Sequence, residues 1–243
     1  TDIDKIPKYL LKHSDPVFEF NKILIDELNK KIVAVKINTA FYESRGASGW
    51  TSLERTIKYL NKNYPELFTI ADAKRGDIGN TSKMYAKAFF ENLNFDSITL
   101  SPYMGGDSVI EFLDYEDKYP IILALTSNKG AQDFQLPNNL FEDVIVKSKN
   151  WKNSDKIIYV VGATKSDFLK KIRDIIPDNF LLIPGVGAQG GDVDEVIKSC
   201  TTTENKKILI NISRSIIYAG NNENFVIEAV KKVDEFNSSI NFK

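Results

Sequence analysis

Three observations predict an α/β fold for this chain, a (β/α)8 barrel whose first strand would precede Thr1. Apolar, β-branched runs recur along the whole sequence. Patterns with apolar residues three and four apart separate them. Almost every apolar run ends in a charged, hydroxyl or glycine residue. The runs cover residues 31–38, 67–74, 97–101, 120–127, 156–163, 180–187 and 207–214. They are nearly continuous in apolar residues, as strands covered on both faces should be. The intervening patterns, such as 16–28, 52–60, 82–93 and 166–176, read as helices. Strands alternating with helices argue for a parallel sheet.

Seven runs are one short of a closed eight-stranded barrel, and the chain opens on a helix. An open, doubly wound sheet is the rival architecture. It would gather its chemistry at one switch point. Here polar or glycine features close many strands: Lys36, Asp72 with Lys74, Ser101, Ser127, Gly162, Gly185 with Gly187, and Arg214. Chemistry spread over many strand ends is the habit of barrels. No Pro/Gly/Ser-rich linker interrupts residues 1–243, so a single domain is expected.

Composition narrows the function classes. The 243 residues are 42% hydrophobic and 27% charged, with a formal net charge of −1. Such a balance offers no electrostatic case for nucleic acid or an anionic membrane as partner. No run approaches the ~18 apolar residues of a membrane span, and no signal peptide is visible. Cys200 is the only cysteine, so no disulfide forms within the chain, which fits a cytoplasmic setting. His13 is the only histidine and has no partner motif, so neither a histidine metal site nor a Ser-His-Asp triad is expected.

The segment DAKRGDIGNT, residues 72–81, carries the chemistry. Strand alternation would point Asp72 and Lys74 to the same face, with Asp77 and Thr81 just beyond the turn. Carboxylates and an ammonium at the end of a buried strand are costly unless they interact or act. Lys36 interrupts another apolar strand and needs an anionic partner, for which Asp72 is the candidate. A purely structural ion network is the alternative for these groups. Further on, residues 184–192 read PGVGAQGGD, between a strand and a helical pattern. Glycine-rich backbone at a helix start suits an anion. Arg214 closes the following strand and can grip a phosphate with two donors. Loops after the last two strands are the usual phosphate site of such barrels, so a phosphate monoester is the leading ligand.

These motifs resemble the orotidine 5'-phosphate decarboxylase family, in the bacterial branch with the core D-x-K-R-G-D-I-G-x-T. The resemblance spans VKINTAFYE (35–43), TIADAKRGDIGNT (69–81), LSPYMGGDS (100–108), LTSNKGAQDFQ (125–135), PGVGAQGGD (184–192) and NISRSIIYA (211–219). It implies decarboxylation of orotidine 5'-monophosphate to UMP without metal or organic cofactor. Lys36, Asp72, Lys74 and Asp77 match the family's catalytic array. By the same resemblance Lys74 protonates C6, Asp72 lies against the carboxylate, and Lys36 orients Asp72. Ser127 and Gln189 contact the pyrimidine, and Pro184 belongs to the substrate-binding set. Gln189, Gly190, Gly191 and Arg214 hold the phosphate. Asp77 and Thr81 complete the partner's site across a homodimer. The family's ribose-binding aspartate falls immediately before Thr1, and Ile37 stands where the branch often has proline. A magnesium-dependent decarboxylase of 3-keto-sugar phosphates is the alternative enzyme, and a catalytically dead nucleotide-binding module the alternative class.

Overall fold

The computed structural model describes residues 1–163, 166–186, 193–201 and 205–240. Its seven strands form one parallel sheet in the order β1 to β7: Ala34–Asn38, Phe68–Arg75, Ser97–Leu100, Ile121–Leu125, Ile158–Val161, Leu181–Pro184 and Ile208–Asn211. Each expected run holds one of them. Neighbours in sequence are neighbours in the sheet, with no reversal of order, so the doubly wound alternative is excluded. Strands β3 and β5 are buried along their whole length, whereas β1 and β7, the two ends of the order, are mostly half-buried.

The chain divides into two compact units, Thr1–Ala73 with Ala88–Ser97 and Ser213–Ser238, and Lys74–Lys87 with Ile98–Ile212 and Ser239–Lys243. In the first unit, Asp15 caps the helix Pro16–Leu28 by accepting from the Phe18 N–H at 3.1 Å, and proline occupies the helix's first position. The same carboxylate accepts from Ser52 Oγ at 2.8 Å and Arg55 at 2.9 Å, tying in the helix Ala47–Asn63. The apolar face of Pro16–Leu28 packs Phe20, Leu24 and Leu28 with Phe225, Ala229 and Val233 of the helix Phe225–Ser239. Phe20 and Phe225 stack with ring centroids 5.1 Å apart. Each large side chain buried in this way contributes roughly 1.5–3 kcal/mol. Gly49 is needed where Ala47–Asn63 begins, because a Cβ there would stand 1.8 Å from the Tyr42 carbonyl oxygen.

In the second unit, β4, β5, β6 and β7 pair in parallel, with Tyr159 opposite Leu181 and Leu182 opposite Leu209. The buried Tyr159 hydroxyl satisfies itself on Ser148 Oγ at 2.9 Å. Arg173, on the helix Ser166–Ile175, is only 6% exposed. Its guanidinium donates to the carbonyls of Cys200, Ile176, Pro177, Asn179 and Lys207 at 2.7–3.2 Å. One side chain thereby joins the ends of two helices and the start of β7.

Candidate functional site

In the first unit, β1 and β2 run parallel, with Lys36 opposite Ile70 and Asn38 opposite Asp72. Lys36 reaches Asp72 Oδ2 at 2.5 Å, and the carboxylate is nearly sealed, its side chain 5% exposed against 18% for Lys36. The predicted partnership of these two residues is therefore present. A charge-assisted contact this short fixes both side chains. Arg214 begins the short helix Arg214–Ile217, directly after β7, and its side chain is exposed.

In the second unit, Lys74, Asp77 and Thr81 follow one another along one stretch of chain. Lys74 is exposed, although Ala73 before it is buried. Its φ of +47° lies in the left-handed region, which costs a non-glycine residue about 1 kcal/mol or more. A left-handed backbone at Lys74 is not what the strand pattern led one to expect. The Lys74 N–H donates to Thr99 Oγ1 at 2.9 Å, which holds the turn. Arg75 carries its guanidinium 5.3 Å from the centre of the Tyr85 ring. Gly76 passes the Ser101 carbonyl so closely that a Cβ would stand 2.9 Å from it. Asp77 Oδ1 accepts from the Ile78 N–H at 2.8 Å, and the Asp77 carbonyl accepts from Ser82 Oγ. Thr81 is exposed on the helix Gly79–Ala86.

Ser127 lies just past the end of β4 and is half-buried. Gly162, just past β5, leaves it room: a Cβ on Gly162 would stand 2.7 Å from the Ser127 nitrogen and Cα. Pro184 ends β6 opposite Asn211. Gln189, Gly190 and Gly191 lie outside the described residues. Among the described residues no group of three or more His, Cys, Asp or Glu side chains is placed to hold a metal ion. No described helix is long and apolar enough to cross a membrane.

One residue the sequence reading left without a role stands beside Ser127. Gln135 bonds the preceding residue, accepting from the Thr126 N–H at 2.7 Å. Its only sequence signal was membership in the LTSNKGAQDFQ segment.

Comparison with known proteins identifies the family. The sequence model of the Orotidine 5'-phosphate decarboxylase / HUMPS family matches residues 19–229. The orotidine 5'-phosphate decarboxylase of Christiangramia forsetii is 58% identical over 238 residues, covering 96% of this chain and 87% of that protein. Its namesake from Flavobacterium johnsoniae is 56% identical over 234 residues, covering 94% and 85%. The solved structure of Leishmania donovani OMP decarboxylase superposes with a TM-score of 0.79 at 32% identity, covering 91% of this chain and 88% of that one. The fold class is accordingly the (β/α)8 barrel, here with seven strands among the described residues. With most of its length matched by the family's sequence model and over half its residues shared with such relatives, the chain belongs to the Orotidine 5'-phosphate decarboxylase / HUMPS family.

Proposed function

We infer that this chain is an orotidine 5'-monophosphate decarboxylase, a carboxy-lyase that forms UMP and carbon dioxide in pyrimidine biosynthesis. The observation that carries the reading is the Lys36–Asp72 pair, 2.5 Å long with its carboxylate nearly sealed, in a chain with these relatives.

Charge chemistry assigns the roles. The C6–carboxylate bond breaks, carbon dioxide leaves, and the electron pair stays on C6. Asp72 bears a negative charge that disfavours the substrate carboxylate more than the product-like state, from which that charge has gone. Lys36 holds Asp72 in place. Lys74 is an exposed ammonium on a left-handed backbone. It stabilises the developing carbanion, transfers a proton to C6 and is reprotonated from water. Asp77 is the second carboxylate of the array. Ser127 and Gln189 read the pyrimidine, and Pro184 shapes the pocket wall. Arg214, with Gln189, Gly190 and Gly191, grips the phosphate, whose binding energy is used at the distant reacting carbon. No metal or organic cofactor enters this scheme.

The active unit in this reading is a homodimer in which Asp77 and Thr81 complete the partner's site, and the compartment is the cytoplasm. Residues 1–243 serve it as a single barrel domain.

The test is a spectrophotometric assay of orotidylate loss with excess chelator present. Turnover is expected in the wild type. Lys74→Ala is expected to abolish it while leaving the melting temperature unchanged. An untouched orotidylate signal, or a Lys74→Ala enzyme near wild-type rate, contradicts the reading.

A further inference from the structure

We propose that Gln135 is a positioning residue that fixes the Thr126–Ser127 peptide and thereby sets how tightly the enzyme grips the pyrimidine. The inference rests on the role of Ser127 given above.

The Ser127 backbone is set by what precedes it and what presses on it. Strand β4 carries a bulge at Ala124: Leu123 pairs with Val160 and Leu125 with Val161, so two steps on β4 face one on β5. Bulges re-aim the chain at the end of a strand. Beyond the bulge, Gly162 N–H donates to the Leu125 carbonyl at 2.8 Å. The Ser127 Cβ would meet a Cβ on Gly162 at 2.8 Å. The serine thus emerges against β5 with little room to shift.

Gln135 holds the other side. Its Oε1 accepts from the Thr126 N–H at 2.7 Å, and its Nε2 donates to the Thr126 hydroxyl at 2.9 Å. That hydroxyl in turn donates to Asn128 Oδ1 at 2.6 Å. One carboxamide satisfies a backbone donor that has left the ladder and a side chain of the same residue. Gln135 is itself anchored: its N–H donates to the Ala131 carbonyl at 3.0 Å, and its carbonyl accepts from the Phe141 N–H at 3.0 Å. Ala131 and Phe141 are fully buried. A continuous set of ties therefore runs from a core phenylalanine to the peptide carrying Ser127.

Ser127 meets the base before and after carbon dioxide leaves, so loosening it removes uniform binding. Gln135→Leu is expected to raise KM for orotidylate and Ki for UMP about tenfold, the weight of one misplaced hydrogen bond, with kcat changed less than about twofold. Ki for ribose 5-phosphate, which has no base, should not move. Gln135→Glu keeps the acceptor for the Thr126 N–H and loses the donor, so it should fall between wild type and Gln135→Leu. In a Ser127→Ala background the Gln135→Leu effect should shrink to less than about twofold, because the two residues act through one contact.

Several results overturn the proposal. Equal weakening of UMP and ribose 5-phosphate would mark a general structural defect. Independent, multiplicative losses in the double variant would separate Gln135 from Ser127. A normal Gln135→Leu enzyme beside an impaired Ser127→Ala enzyme would sink the inference alone. An unimpaired Ser127→Ala enzyme would remove the role of Ser127 and the inference together. Should Gln135→Leu fail to fold, Gln135→Glu and Thr126→Val, which replaces the hydroxyl with a methyl group, decide by the same pair of inhibition constants.

Discussion

Replacing Lys36 by Met should separate the structural from the chemical use of the Lys36–Asp72 pair. The pair spans 2.5 Å, with the carboxylate side chain 5% and the lysine 18% exposed. Removing one partner of a buried ion pair is strongly destabilising, at a cost of about 3–5 kcal/mol. Water reaches part of Lys36, so the lower end, about 3 kcal/mol, applies. For a chain of this size each kcal/mol lowers Tm by roughly 2–4 °C, so Lys36→Met should melt about 6–12 °C below wild type. The combination Lys36→Met with Asp72→Asn removes both charges of this pair and should regain at least half of that loss. Turnover, which needs both charges, should remain abolished in the single and the double variant. Differential scanning calorimetry and the orotidylate assay read the two quantities on the same samples. A double variant as unstable as the sum of its parents would refute the buried-charge argument. Recovered turnover would refute the catalytic one.

Arg173→Met should destabilise by about 3 kcal/mol in urea melts, since five carbonyl contacts are lost while one buried cation is removed; a loss below about 1 kcal/mol would contradict this. Burial pushes the Cys200 thiol up to about 12. It should therefore ignore a disulfide reagent at pH 8 in the native protein and react fully after denaturation. The unfolded chain releases that proton from about pH 9 while the native state keeps it to about 12, so stability should fall across this interval as the solution becomes more alkaline. Arg214→Ala should raise KM for orotidylate by about a hundredfold with a smaller change in kcat, consistent with loss of a charge-assisted phosphate contact; an unchanged KM would remove Arg214 from the site. Mixing Asp77→Asn chains with Lys74→Ala chains should restore about a quarter of wild-type activity, because half the dimers are mixed and each holds one intact site. Verified mixed dimers without activity would argue against shared sites.

The strands were legible because burial on both faces writes itself as an unbroken apolar run. All seven lie within or one residue beyond the expected stretches, and the runs exceed the ladders because apolar residues continue after pairing stops. The helix Pro16–Leu28 was read at its observed bounds. The helix Ala47–Asn63 begins earlier than its apolar pattern, since Gly49 and Ser52 are buried there without an apolar side chain to announce it. The Lys36–Asp72 pair could be read from two charges in apolar strands. The left-handed backbone at Lys74 could not, because Lys ordinarily avoids that region and Thr99, which holds it, is distant in sequence. Arg173 was silent for a similar reason: its partners are backbone carbonyls, which have no letter in a sequence. Gln135 was silent because it serves both the backbone and the hydroxyl of Thr126, and neither marks it in the sequence.

The guanidinium of Arg173 has a consequence for the conditions the fold tolerates. Its acceptors are neutral carbonyls, so acid cannot discharge them as it would a carboxylate partner. Burial also keeps mobile ions away from the contact, so raised ionic strength should leave it intact. A lysine in its place would offer three donors from a single point to acceptors spread around a plane, and most would go unserved. This corner of the second unit is thus indifferent to salt and acidity yet intolerant of the mildest change in residue type.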